Sequence, residues 1–186
     1  MEILSSDHDK DTLNVRLRFA EDDTEPLIEI NHTLWSKNLP MLLWRFSLKN
    51  VSRQVLEDVK TYMFMDFDIS GPRSYKDDMG KFIPEEKRMN FWDENSLFVS
   101  IVSRPDPDGW EISAPFGLNV TEDQRDLKNN LESGPADIAS GLQWNVGNLQ
   151  PNESATIEVV IASAVSLDEV SALIPEGWKH FGTKMR

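Results

Sequence analysis

The feature that most constrains this chain is a period of two. Leu13, Val15, Leu17 and Phe19 alternate with Asn14, Arg16 and Arg18, and Leu42, Trp44, Phe46 and Leu48 alternate with Leu43, Arg45, Ser47 and Lys49. Near the C-terminus Ile157, Val159 and Ile161 alternate with Thr156, Glu158 and Val160. Successive strand side chains point to opposite faces, so each run requires one covered face and one wet face, the pattern of antiparallel sheets. Further strands are expected over 27–34, 59–67, 97–103, 110–114 and 142–149, separated by Pro, Gly, Asn and Asp clusters such as "SRPDPDGW". About eight strands at this spacing predict an all-β chain, an antiparallel β-sandwich of two packed sheets.

Two short helices are expected beside the sheets. Thr121 with Gln124 makes a capping box ahead of "EDQRDLKNNL". Ser166 with Glu169 makes a second, Val165 is placed to staple onto Val170, and Pro175 marks the end. Residues 1–186 read as one domain with a C-terminal helical tail from about 166. Six Trp and nine Phe supply the bulk for its core. The stretch 71–95 is polar and charged, and is expected to be a long irregular loop of the kind that carries function.

Charge narrows the partners. A formal net charge of −13 argues against nucleic acid, which needs a basic footprint, and against an anionic membrane surface. With no cysteine, disulfides, thiolate chemistry and cysteine-bound zinc are excluded. The opening "MEILSSDHDKD" has neither a basic n-region nor an apolar h-region, and no apolar run approaches the roughly 18–20 residues of a membrane span. The expectation is a soluble, cytoplasmic chain, either whole or cut from a longer one; its oligomeric state is left open.

One stretch has the cadence of a calcium loop. "DFDISGPRSYKD" places Asp66, Asp68, Ser70 and Asp77 at positions one, three, five and twelve, with Gly71 at six. These four residues are the candidate metal ligands, with Asp78 or Asp93 in support, and calcium is the only cofactor the pattern admits. Against it, "KTYMFM" reads as a strand rather than an entering helix, Arg73 stands where an apolar residue normally packs, and Asp77 is shorter than the usual Glu. A strand ending in an acidic turn explains the same letters. On that preferred reading Phe67 and Ile69 face the core while Asp66 and Asp68 face water.

Catalytic chemistry is sparse. The three histidines, His8, His32 and His180, stand at no metal-pair or triad spacing, and no serine elbow or phosphate-binding glycine pattern occurs. "FWDEN" sets Trp92 beside Asp93, an aromatic and an acid of the kind that hold sugars; the alternative is that its aromatics cap a core edge. Trp92, Asp93 and Trp110 are the candidate ligand-binding residues, on a contact surface expected over 71–95. Asn31, Asn50, Asn119 and Asn152 head glycosylation sequons, which matter only in a secreted protein.

The segment "GLQWNVGNLQPNESATIEVVIASAVS", 141–166, resembles the closing hairpin of immunoglobulin-like and related β-sandwich modules of surface proteins and carbohydrate-active enzymes. Trp144, Val146, Gly147, Leu149, Pro151, Ser154, Ile157 and Val159 carry the likeness, with Asn152 where other examples have Gly. "LLWRFSLKNVSRQVLEDVKTYMFMDFDI" resembles another strand connection of such modules. The resemblance implies a module that binds or supports rather than catalyses. The expectation is therefore a non-catalytic binding module with a protein or carbohydrate partner. A carbohydrate-binding or carbohydrate-active accessory domain is the first alternative, and a calcium-stabilised structural domain the second.

Overall fold

A computed structural model describes residues 1–20, 25–71, 76–94 and 97–182. Within them run twelve strands: β1 (Glu2–Asp9), β2 (Thr12–Phe19), β3 (Ile28–Trp35), β4 (Met41–Asn50), β5 (Leu56–Asp66), β6 (Asp78–Ile83), β7 (Arg88–Trp92), β8 (Phe98–Arg104), β9 (Gly109–Ser113), β10 (Glu132–Ala136), β11 (Ala139–Leu149) and β12 (Ser154–Ala164). A single helix, α1 (Leu167–Gly182), follows them. Every pairing is antiparallel. One sheet has nine strands in the order β1-β2-β3-β4-β12-β8-β7-β6-β10, and the other has three, β5-β11-β9. The all-β sandwich is as the alternation requires.

The main core lies between the sheets. Phe46 and Leu48 of β4, Met89 and Phe91 of β7, Ile101 of β8 and Ile157 and Val159 of β12 meet Met63, Ile112, Leu142 and Trp144 of the smaller sheet. A second core lies on the outer face, where α1 lays Val170 and Phe181 over Leu43, Val102, Val160 and Ala162. The centre of the large sheet is thus buried on both sides. That corrects the reading of β12 and β4: Val160 of β12, expected to face water, is fully buried beneath the helix, whereas Leu42 of β4, expected inside, is exposed.

α1 differs from expectation in two ways. Ser166 Oγ accepts the N–H of Glu169 at 3.3 Å, the expected cap, but Val165 is 67% exposed and makes no staple. Pro175 stands inside the helix, which continues to Gly182. Proline removes one helical hydrogen bond, and the apolar stripe of Val170, Leu173, Ile174, Trp178 and Phe181 on the sheet outweighs that loss. Gly177 sets the approach: a Cβ at that position would stand 2.8 Å from Cγ1 of Val160.

The other expected helix is absent. Gln124 donates its N–H to Thr121 Oγ1 at 3.1 Å, so the capping contact forms, but the chain then runs extended over the outer face of the three-stranded sheet. Its apolar residues are too few to bury a helix. Instead Leu127 sinks alone, Gln143 Oε1 accepts the Leu127 N–H at 2.9 Å, and Asn129 and Asn130 accept the backbone N–H groups of Trp110 and Ile112 on β9, each at 2.9 Å.

Four strands escaped the sequence reading. β1 lies in what reads as a frayed end, β6 and β7 in the stretch expected to be irregular, and β10 carries a Gly-Pro pair that signals a break. Gly134 in β10 has φ +106° and passes so close to β6 that a Cβ would lie 2.3 Å from the carbonyl oxygen of Asp78. The segment 141–166 is also not a hairpin. β11 belongs to the small sheet and β12 to the large one, so the Pro151–Asn152 turn crosses between layers. Asn152 takes the left-handed conformation there, with φ 67°. Among the described residues no helix is long and apolar enough to cross a membrane.

Candidate functional site

The alternation of β7 decides the site. Met89 and Phe91 enter the main core, which turns Arg88, Asn90 and Trp92 to the outer face. β6 sets Lys81 beside Asn90 and Ile83 beside Arg88, while β8 sets Phe98 beside Trp92 and Ser100 beside Asn90. The helix packs mainly on β12, β8 and β4, beside the outer face of β6 and β7. Its first residue, Leu167, makes one wall of a cavity of about 240 Å³ whose other lining residues are Lys81, Ile83, Asn90, Trp92 and Phe98.

Each lining group has a definable role. The rings of Trp92 and Phe98 are 6.5 Å apart and 21° from parallel, a stacked aromatic pair. Asn90 is buried, and its Oδ1 accepts the hydroxyl of Ser100 at 2.6 Å, so the group it can offer a ligand is its NH₂. Lys81 lies at the rim, half exposed, with Nζ 3.8 Å from Glu132 Oε2, too long for a tight pair and free to donate to a ligand. The wall is fixed from below: Arg88 donates through Nη1 to Ser171 Oγ of α1 at 2.9 Å, and its Nη2 pairs with Glu86 at 2.8 Å.

The three candidate ligand residues do not converge. Trp92 lines the cavity. Asp93, next in the chain, is buried and accepts the N–H of Leu97 at 3.4 Å. Trp110 packs against the main core, with the ring of Phe82 stacked on it at 3.9 Å and Lys87 Nζ 5.7 Å from its centroid. Its ring is engaged by the protein rather than offered to a ligand. Of the expected contact surface over 71–95, residues 72–75 and 95 lie outside the described residues.

The calcium-like stretch ends β5 as a strand and turn. Ile69 is buried, Phe67 packs on the core, and Asp66 and Asp68 are exposed. Ser70 and Gly71 are both left-handed, and Gly71 donates its N–H to Asp68 O at 2.9 Å. Arg73 lies outside the described residues. Partial burial, then Asp137 and Asp68, push the carboxyl of Asp66 up. The carboxyl of Asp78 is pushed up to about 6, first by burial and then by Asp77, Asp93 and Asp68, against one hydrogen bond from the backbone of Ile69. Among the described residues no three His, Cys, Asp or Glu side chains come together as a metal site.

Lys81, Ile83 and Asn90 fall within the contact surface expected over 71–95 without having been singled out, and Phe98 and Leu167 lie outside it. A signal for Asn90 was present: Arg88-Met89-Asn90-Phe91-Trp92 alternates as a strand does. Leu167 carried none, because its place depends on where the helix crosses the sheet.

No protein-family model matches the chain, and no curated protein sequence does. Solved structures do. An assigned aldose 1-epimerase from Escherichia coli K12 superposes with a TM-score of 0.58 at 10% identity, over 88% of this chain and 68% of the other. The GalM/aldose epimerase homologue from C. elegans gives 0.60 at 11% identity, over the same 88% and 68%. An assigned kojibiose phosphorylase from the human microbiome gives 0.57 at 11% identity over 93% of this chain, which corresponds to 21% of that longer one. At these identities the likeness is one of fold: the chain is a β-sandwich of the architecture found in these sugar-related proteins.

Proposed function

We propose that the chain is a carbohydrate-binding domain that seats one sugar ring on Trp92 in the cavity beside α1. The observation that carries this reading is the stacked pair of Trp92 and Phe98 flanked by the buried amide of Asn90. A pyranose has an apolar C–H face and a rim of hydroxyls. The first gains by covering an indole, and the second needs donors and acceptors at the edge. Asn90 NH₂ and Lys81 Nζ supply donors where that rim would lie. At about 240 Å³ the cavity falls below the roughly 300–1,000 Å³ of sites for larger ligands, which suits a single ring.

No carboxylate lines the cavity among the described residues, so the pair of acids that cleaves a glycosidic bond has no counterpart in it. That favours binding over turnover. The sugar-related names of the fold neighbours agree with the ligand class and say nothing of these side chains.

Calorimetric titration with a panel of neutral mono- and disaccharides tests the reading. At least one sugar is expected to bind with Kd of about 0.1–1 mM, with Trp92→Ala losing it while remaining folded. A panel with no binder, or affinity unchanged in Trp92→Ala, overturns it.

A further inference from the structure

The cavity beside α1 is uneven in its chemistry. On the outer face, β6, β7 and β8 set their side chains in rows: Trp92 beside Phe98, Asn90 beside Lys81 and Ser100, and Arg88 beside Ile83. The row of Asn90 therefore lies between an aromatic end, made by Trp92 and Phe98, and an aliphatic end, made by Ile83. Leu167, 38% exposed at the start of α1, adds a second aliphatic wall. Both ends border one space of about 240 Å³, small enough for a single substituted ring to touch each.

Asn90 is the polar group at the floor. It is 4% exposed, and its Oδ1 is engaged by the Ser100 hydroxyl at 2.6 Å. Its NH₂ donates to no group among the described residues, although the side chain lines the cavity. A buried donor without a partner is costly, so this amide is set for an acceptor that a ligand brings. Lys81 at the rim is also a donor, and no lining side chain other than Asn90 carries an oxygen.

These features discriminate among the substituents that a pyranose can carry. A hydroxyl directed at Asn90 accepts from the NH₂ but keeps a hydrogen of its own, for which the lining side chains hold no open acceptor. An amine there is protonated near neutral pH, brings only donors, and meets Lys81 as a like charge. The carbonyl of an acetamido group accepts and has no hydrogen left over. Because the amide is trans, its N–H points away from Asn90, toward the open side of the sheet. The methyl group then covers aliphatic surface that a hydroxyl would leave against a polar group.

We infer that the cavity selects an N-acetylated hexosamine, whose acetyl carbonyl accepts from Asn90 NH₂ while its methyl packs on Ile83 and Leu167. This rests on the seating of a sugar ring on Trp92 and adds which ring is taken.

Calorimetric titration of the full chain tests it, with N-acetylglucosamine and N-acetylgalactosamine set against glucose, galactose and glucosamine. At least one N-acetylated sugar is expected to bind about 5- to 30-fold tighter than its parent hexose, and glucosamine no tighter than glucose. Asn90→Ala is expected to erase that margin, and Leu167→Ala to narrow it about threefold. Ser100 loses its partner in Asn90→Ala. If that variant does not fold, saturation-transfer NMR of the wild type decides, with the acetyl methyl expected to take up more magnetisation than the ring protons. Equal affinity for acetylated and parent sugars overturns the inference and leaves the sugar-binding reading in place. So does a margin kept in a folded Asn90→Ala, or a methyl that takes up less than the ring protons. A chain that binds none of the five sugars overturns the inference, and the wider panel then decides the reading beneath it.

Discussion

Trp144 and Ser103 meet across the two sheets, indole Nε1 to hydroxyl Oγ at 3.2 Å. The same N–H reaches the carbonyl of Pro105 at 3.1 Å, the Ser103 hydroxyl donates to that carbonyl at 2.8 Å, and the ring of Phe46 meets the indole edge to face at 5.6 Å. One side chain of β11 is thus held by groups of β4, β8 and the turn that follows β8. Trp144→Phe keeps most of the buried area and loses the hydrogen bonds, and is expected to cost about 1–2 kcal/mol. Trp144→Ala also leaves a cavity and is expected to cost about 3–5 kcal/mol. Urea denaturation of both variants measures the difference.

Asp78 makes stability depend on pH in an unusual direction for a carboxylate. It is 1% exposed, its Oδ1 has no partner, and its folded pKa of about 6 lies above the ordinary value. The folded state holds a proton that the unfolded chain has released by about pH 5. This group's contribution therefore weakens as pH rises from about 4 through 6, and it remains a cost above that. Asp78→Asn removes the charge in the same shape. The difference between variant and wild type is expected to be small at pH 4 and to reach about 1–3 kcal/mol in favour of the variant at pH 8. Melting temperatures across that range test it; a variant that is less stable at pH 8 would count against the assignment.

Gly177 and Val160 form a close contact that a methyl group disrupts. Alanine improves helix propensity by about 1 kcal/mol, but its Cβ would stand 2.8 Å from a β-branched side chain that has little room to turn. Gly177→Ala is expected to be destabilising by about 1–2 kcal/mol. Adding Val160→Ala should turn the combination favourable relative to Val160→Ala alone. A thermal double-mutant cycle reads the sign directly.

Lys81 at the cavity rim and Asp93 beside Trp92 should separate in binding experiments. Lys81→Met removes a rim donor and is expected to weaken sugar affinity about 3- to 10-fold. Asp93→Asn changes a buried acid on the other side of the sheet and should leave affinity within about twofold in folded protein. Calorimetry with the best sugar from the panel distinguishes the two.

How much of this was legible in the chain differs from element to element. β2, β4 and β12 announced themselves because alternation records one covered face locally, and Ser166 announced the start of α1 because a cap is a contact within four residues. β7 was equally periodic but was hidden by its charged surroundings. The helix expected after Thr121 shows the limit: its capping bond forms, yet Leu127 alone had to be buried, and side chains on a strand elsewhere in the chain offered better partners for its backbone. The binding site was half legible. Trp92 could be named as an aromatic beside polar groups, but its neighbours Phe98, Lys81 and Leu167 come from other strands and the helix.

The sequence by itself determined that this is an antiparallel sandwich of acidic surface, because side-chain alternation and net charge are properties of neighbours along the chain. Only the tertiary structure decided that 141–166 bridges two sheets, that Val160 lies under a helix, and that Trp92 opens to a cavity while Trp110 is stacked into the core. Those outcomes depend on which strands pair and where α1 crosses them. They are set by packing between residues tens of positions apart, which leaves no local mark.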